Sequence, residues 1–116
     1  MKESIKDKRK SDRLPIQTPA KYFVNSKNIW ENCHITDISW HGLGIMCFAK
    51  RSIQIGEQLE FKVNILSEKN KVNGTVVWTR LLDQNKVFNL AAGIKFKSIS
   101  ETDKKTLISY ASSQCT

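Results

Sequence analysis

The chain has 116 residues, 40% of them hydrophobic and 26% charged, and a net charge of +8. This is enough for one domain with a hydrophobic core, and too little for two domains or a deep multi-part active site. No apolar run approaches the about 20 residues that a membrane-spanning helix needs, and the charged stretch from Met1 to Arg13 has no secretory apolar segment. The excess of Lys and Arg favours an anionic partner, whether nucleic acid, nucleotide or acidic protein.

In chain order, residues 1–13 read as a flexible basic arm. Lys2, Lys6, Lys8, Arg9, Lys10 and Arg13 outnumber Glu3, Asp7 and Asp12, and Ile5 is the one apolar residue after Met1. Such a segment cannot bury enough surface to order itself without a partner. Residues 14–116 read as one domain. Leu14, Pro15 and Pro19 lead into a short strand at Ala20 to Val24. A second strand is predicted from Asn32 to Ile38, and a third from Leu43 to Phe48 after a tight turn at Gly42.

From Gln58 to Leu66 the alternation places Leu59, Phe61, Val63 and Ile65 on one face. The run Lys71 to Arg80 puts Val72, Val76 and Trp78 on a core face, and Phe88 to Phe96 completes six strands. Ser100 followed by Glu101 and Asp103 marks a helix start, with acids against the positive end of the helix dipole. Leu107, Ile108 and Ala111 carry its apolar stripe, so a helix is predicted over about 101–113. Short strands followed by one helix indicate an antiparallel barrel or sandwich capped by the helix.

Chemistry is sparse. Cys33, Cys47 and Cys115 form no C-x-x-C pair, and with His34 and His41 they give no metal-ligand spacing. Buried, idle thiols in a reducing compartment are expected. No nucleophile and base stand at a recognisable spacing, so the chain reads as a binder rather than an enzyme, without metal or cofactor. Two short motifs stand out. Arg9-Lys10-Ser11-Asp12-Arg13 is an R-x-x-x-R, and Asp37-Ile38-Ser39-Trp40-His41-Gly42 is a D-x-S-x-x-G. Each alone is weak; their combination, one before the first strand and the other closing the second, is specific.

This pairing resembles the PilZ domain family. Gly56 before a strand, Gly74-Thr75-Val76-Val77-Trp78 and Gly93-Ile94-Lys95-Phe96 agree with the same resemblance, which covers nearly the whole chain. It implies an all-β fold: a six-stranded antiparallel β-barrel with a C-terminal α-helix and the flexible basic N-terminal arm. It also implies cyclic di-GMP as ligand, in a bacterial cytoplasmic receptor that relays a signal to a protein effector.

The residues suit that ligand. The guanidinium forks of Arg9 and Arg13 match phosphate oxygens and the O6 and N7 acceptors of guanine. The Asp37 carboxylate can accept from the N1–H and N2–H₂ edge of guanine, and the Ser39 hydroxyl can donate to a phosphate or base acceptor. Gly42 is expected to supply a backbone conformation closed to other residues. Lys8, Lys10 and Trp40 are possible additional contacts; for Trp40 packing against the barrel end is the favoured role. Basic Lys8 beside the arginine motif leans, by the resemblance, toward two ligand molecules per chain.

The main rival is a small basic barrel that binds single-stranded nucleic acid. That requires aromatics interleaved with Lys or Arg on an exposed strand face. Phe61, Phe88 and Phe96 are instead expected on core faces, and nucleic acid is the less favoured partner. A ligand-blind adaptor of the same fold is a second rival, and the complete motifs argue against it.

Overall fold

The computed structural model describes residues 13–24, 28–48, 53–67, 69–82 and 88–115. Among the described residues, six strands precede one helix: β1 (Leu14–Val24), β2 (Ile29–Ile38), β3 (Gly42–Cys47), β4 (Gln58–Val63), β5 (Val72–Leu81), β6 (Leu90–Ser98) and α1 (Glu101–Cys115). The strands close into an antiparallel barrel in the order β1-β2-β3-β6-β5-β4. Among the described residues, no helix is long and apolar enough to cross a membrane.

Alternating side chains fill the barrel. Ile16, Tyr22, Ile35, Ile45, Leu59, Phe61, Val72, Val76 and Ile94 are buried in one continuous core, as the period of two predicts. β1 starts six residues earlier than its predicted Ala20, in spite of Pro15 and Pro19. The reason is topological. The first half of β1 pairs only with β2, and β4 joins it just at Ala20, Lys21 and Tyr22. Proline is tolerated where one edge of a strand is open. The Pro19 carbonyl there accepts from the Asn64 amide (3.5 Å), where β4 has already given way to a turn. β2 also starts early, at Ile29, because Asn28 takes the left-handed conformation (φ 54°) that closes the β1–β2 hairpin.

The helix follows its sequence signals. The Ser100 hydroxyl accepts from the Asp103 amide (3.0 Å), which caps the first turn. Leu107 and Ala111 are fully buried against the barrel. Buried Asp103 accepts from the Asn70 side-chain amide (2.8 Å) and so ties the helix to the segment before β5.

Bulges change which side chains face out. β2 carries an extra residue between Ile35 and Asp37 relative to β3, and β5 one between Val76 and Trp78 relative to β6. A bulge shifts the alternation by one and re-aims the side chains beyond it. The first turns Asp37 out of the core phase set by Cys33 and Ile35. The second corrects the expectation for Trp78, which leaves the face of Val72 and Val76 and lies half-buried on the barrel's exterior.

Cys33 and Cys47 face each other across β2 and β3 as free, buried thiols. Desolvation pushes the Cys47 thiol up to about 11, partly offset by its hydrogen bond with Tyr22, and desolvation raises Cys33 as well. Both groups therefore stay protonated through neutral pH, and the thiolate is the reactive form. Iodoacetamide at about pH 8 is expected to leave both unmodified in the folded protein and to alkylate both in denaturant. Peptide mass mapping checks this; rapid native labelling at Cys33 would contradict the packed interior.

Candidate site on the outer barrel face

The site begins at the turn joining β2 to β3. The Ser39 amide donates to the Gly42 carbonyl (2.8 Å) and the Ser39 hydroxyl also reaches it (3.3 Å). The same hydroxyl accepts from the His41 amide (3.3 Å). Ser39 is buried, so in this arrangement its hydroxyl shapes the turn. The Phe96 amide donates to the His41 carbonyl (2.8 Å) and fastens the turn to β6.

Gly42 is needed for a different reason from the one its motif suggests. Among the described glycines only Gly56 has positive φ. A Cβ at Gly42 would instead collide with the Ile94 carbonyl of β6, its register neighbour through Lys95. The glycine permits close backbone approach.

Asp37 leaves the end of β2 opposite Pro15 of β1, which brings the preceding Arg13 within reach. Arg13 Nη1 lies 2.6 Å from Asp37 Oδ1, with the arginine side chain half-exposed. Thr36 Oγ1 approaches the other carboxylate oxygen at 3.4 Å. Across the barrel exterior, Asp37 pairs with Gly44, Gly44 with Gly93, and Gly93 with Trp78. A Cβ at Gly44 would come within 2.6 Å of Asp37 Oδ2, and one at Gly93 would collide with the Trp78 indole. The carboxylate thus lies over Gly44 and the indole over Gly93, two adjacent buried glycines whose missing side chains let both groups pack flat against the strands. Arg80 places its guanidinium 5.9 Å from the Trp78 ring centre.

Of the predicted site residues, the structure brings Arg13 and Asp37 together and puts Ser39 and Gly42 in the adjoining turn. Trp40 is half-buried, with the Lys104 ammonium of α1 4.8 Å over its ring. Lys8, Arg9 and Lys10 lie outside the described residues. Sequence reasoning did not assign Gly44, Gly93 or Trp78 to the site. Gly44 had a local signal, since it follows Gly42 at a spacing of two and so lies on the same face as Gly42. Among the described residues, no cluster of His, Cys, Asp and Glu could hold a metal ion.

The chain is therefore a small closed barrel that carries Arg13, Asp37 and Trp78 on its outside, near the start of β1. It belongs to the PilZ domain family: the family model, PilZ domain, matches residues 7–113, a span that includes both motifs. Two solved structures share the fold. The Bacillus subtilis inhibitor of motility (MotI/DgrA) superposes with a TM-score of 0.69 at 15% identity, covering 88% of this chain and 48% of that one. The chain thus spans about half the length of that protein. The PilZ domain of YcgR from Escherichia coli, solved with c-di-GMP, superposes with a TM-score of 0.62 at 15% identity, covering 85% of each chain. No curated protein sequence matches the chain.

Proposed function

We propose that this chain is a bacterial, cytoplasmic receptor for cyclic di-GMP that passes the signal to a protein target by a change in its N-terminal arm. The observation that carries this reading is the meeting of Arg13 and Asp37 on the barrel exterior, with the Trp78 indole across β3 and β6 on the same face. A guanine set beside them finds an acceptor carboxylate for its N1–H and N2–H₂ edge and an indole at its flank. Arg13 supplies a planar fork for a phosphate or for guanine O6 and N7, and Arg9, four residues earlier, supplies a second. The Ser39 hydroxyl, whose single proton lies toward the Gly42 carbonyl, holds the turn beside Asp37 and donates to the ligand once the turn gives up that contact. The site is one of binding: it holds polar groups for recognition and no nucleophile activated by a base.

Melting temperature separates this reading from its rivals. At a hundredfold excess over Kd, a ligand adds about 2.7 kcal/mol to stability, a rise of roughly 10 °C for a domain of this size. Cyclic di-GMP is expected to give that rise, while GTP and single-stranded DNA at the same concentration give little. A rise with the DNA alone would favour the nucleic-acid barrel, and no rise with any of the three would favour the ligand-blind adaptor.

Two finer features belong to the same proposal. The arm, residues 1–13, closes over the ligand and thereby presents a new surface to the effector. Amide hydrogen exchange is expected to slow across Ser4 to Leu14 on adding cyclic di-GMP, and equal exchange with and without ligand would remove this relay. The ligand binds as a stacked pair, whose four phosphate charges call for cations beyond the arginines. Lys8 and Lys10 flank Arg9 and supply them. Isothermal titration is expected to give about two molecules per chain, falling toward one in Lys8→Leu with the first still bound tightly. A ratio near one in the unaltered protein would reject the paired mode.

A further inference from the structure

The other flank of the barrel, the outer face of β2, β1 and β4, breaks a rule of sheet stability. Lys21 of β1 pairs directly with Lys62 of β4. Like charges facing each other across two strands destabilise a sheet, and among the described residues no carboxylate offsets them. Glu60, the nearest acid along β4, is instead approached by Lys71 at 3.8 Å.

Beside the lysines stands an aromatic pair. Phe23 and Trp30 face each other across β1 and β2, with ring centres 5.1 Å apart at 57°. The Lys62 ammonium lies 4.3 Å over the Trp30 ring. Trp30 thus has two partners, Phe23 and Lys62. Lys21, Trp30, Lys62, Val63, Asn64 and Leu66 enclose a hollow of about 370 Å³. Trp30 and Leu66 give it apolar surface, and among the described residues the charged members of its lining, Lys21 and Lys62, are both positive. A neighbouring hollow of about 320 Å³ contrasts with it: Glu60 and Lys97 both line that one, and Lys97 donates to Gln58 (2.8 Å).

The geometry points to this hollow as a docking site for an acidic segment of a protein partner, one apolar side chain entering between Trp30 and Leu66 while flanking carboxylates bridge Lys21 and Lys62. An anion between the two lysines turns their repulsion into two attractions, and cation–π contact already holds Lys62 where a carboxylate can meet it. Single-stranded nucleic acid fits less well, because base stacking needs an open ring face. Trp30 has Lys62 over its ring and Phe23 against it.

The test uses the full chain without cyclic di-GMP, so that its failure leaves the proposed receptor function untouched. Isotope-labelled protein is titrated with the peptide Glu-Glu-Leu-Glu-Glu, with Lys-Lys-Leu-Lys-Lys, and with a short oligothymidine. The acidic peptide alone is expected to shift the Trp30 indole N–H and the backbone amides of Lys21 and Lys62. The double variant Lys21→Gln, Lys62→Gln is expected to weaken it about tenfold while keeping or raising the melting temperature, since a like-charge pair has gone. Shifts spread over other basic residues, unchanged affinity in the double variant, or oligothymidine binding at Trp30 in preference to the peptide would each overturn the assignment.

Discussion

Arg13→Ala is expected to weaken cyclic di-GMP binding by roughly 2–5 kcal/mol, which is about thirtyfold to several thousandfold in Kd. The loss is large because the substitution removes a charged, planar fork from the ligand. The effect on folding is expected to be small. The pair is part-exposed, and such surface pairs contribute about 0–1 kcal/mol. Calorimetry and denaturant unfolding therefore separate in this variant. Arg13→Lys sharpens the reading: it restores the charge but not the planar fork, so it should recover only part of the affinity. Unchanged affinity in Arg13→Ala would sink the site assignment whatever happened to stability.

Gly42→Ala is expected to do the reverse, damaging the fold first. The new methyl would meet the Ile94 carbonyl, with the Ile94 carbon and Lys95 Cα close behind. All three are backbone, so no rotamer change relieves the clash; β3 and β6 must separate. Overpacking of this kind costs about 2–3 kcal/mol, or roughly 10 °C or more in melting temperature for a domain of this size. Gly56→Ala is the matching control. Gly56 has φ +94° and open space around it, so there the cost is conformational alone, about 1 kcal/mol. Equal midpoints in urea for Gly42→Ala and the unaltered protein would show that the strands are not so closely apposed.

The strands and the helix were legible because they depend on local periodicity, whereas the closed barrel rather than a sandwich was what the resemblance to the PilZ family implied. Leu59, Phe61 and Val63 alternate with polar residues and are buried as that alternation requires, and Ser100 caps α1 where the acids follow it. What could not be read depends on partner strands. Whether Trp78 faces in or out is decided by one extra residue in β5 relative to β6, and a bulge leaves no mark in the sequence of either strand. The length of β1 was obscured for a related reason: proline forbids a strand only if both edges are paired, and pairing is a property of the closed sheet. Within the site, Arg13 and Asp37 were legible as motif residues. The packing of the Asp37 carboxylate and the Trp78 indole over adjacent glycines was not, because Gly44 and Gly93 are 49 positions apart in sequence and become neighbours only through the β3–β6 register.

The closure of the barrel has a mechanical consequence. β1 meets β4 through just three residue pairs, Ala20–Val63, Lys21–Lys62 and Tyr22–Phe61, whereas its ladder with β2 runs the length of the strand. The middle rung of that short seam is the repelling lysine pair. Tension applied at the root of the arm enters the molecule through β1, whose second edge is held only by this brief seam with β4. The seam is where the cylinder unzips first, and it sets how far β1 can slide without disturbing the other five strands. A carboxylate clasped between Lys21 and Lys62 works as a rivet at that rung, locking the cylinder shut from outside.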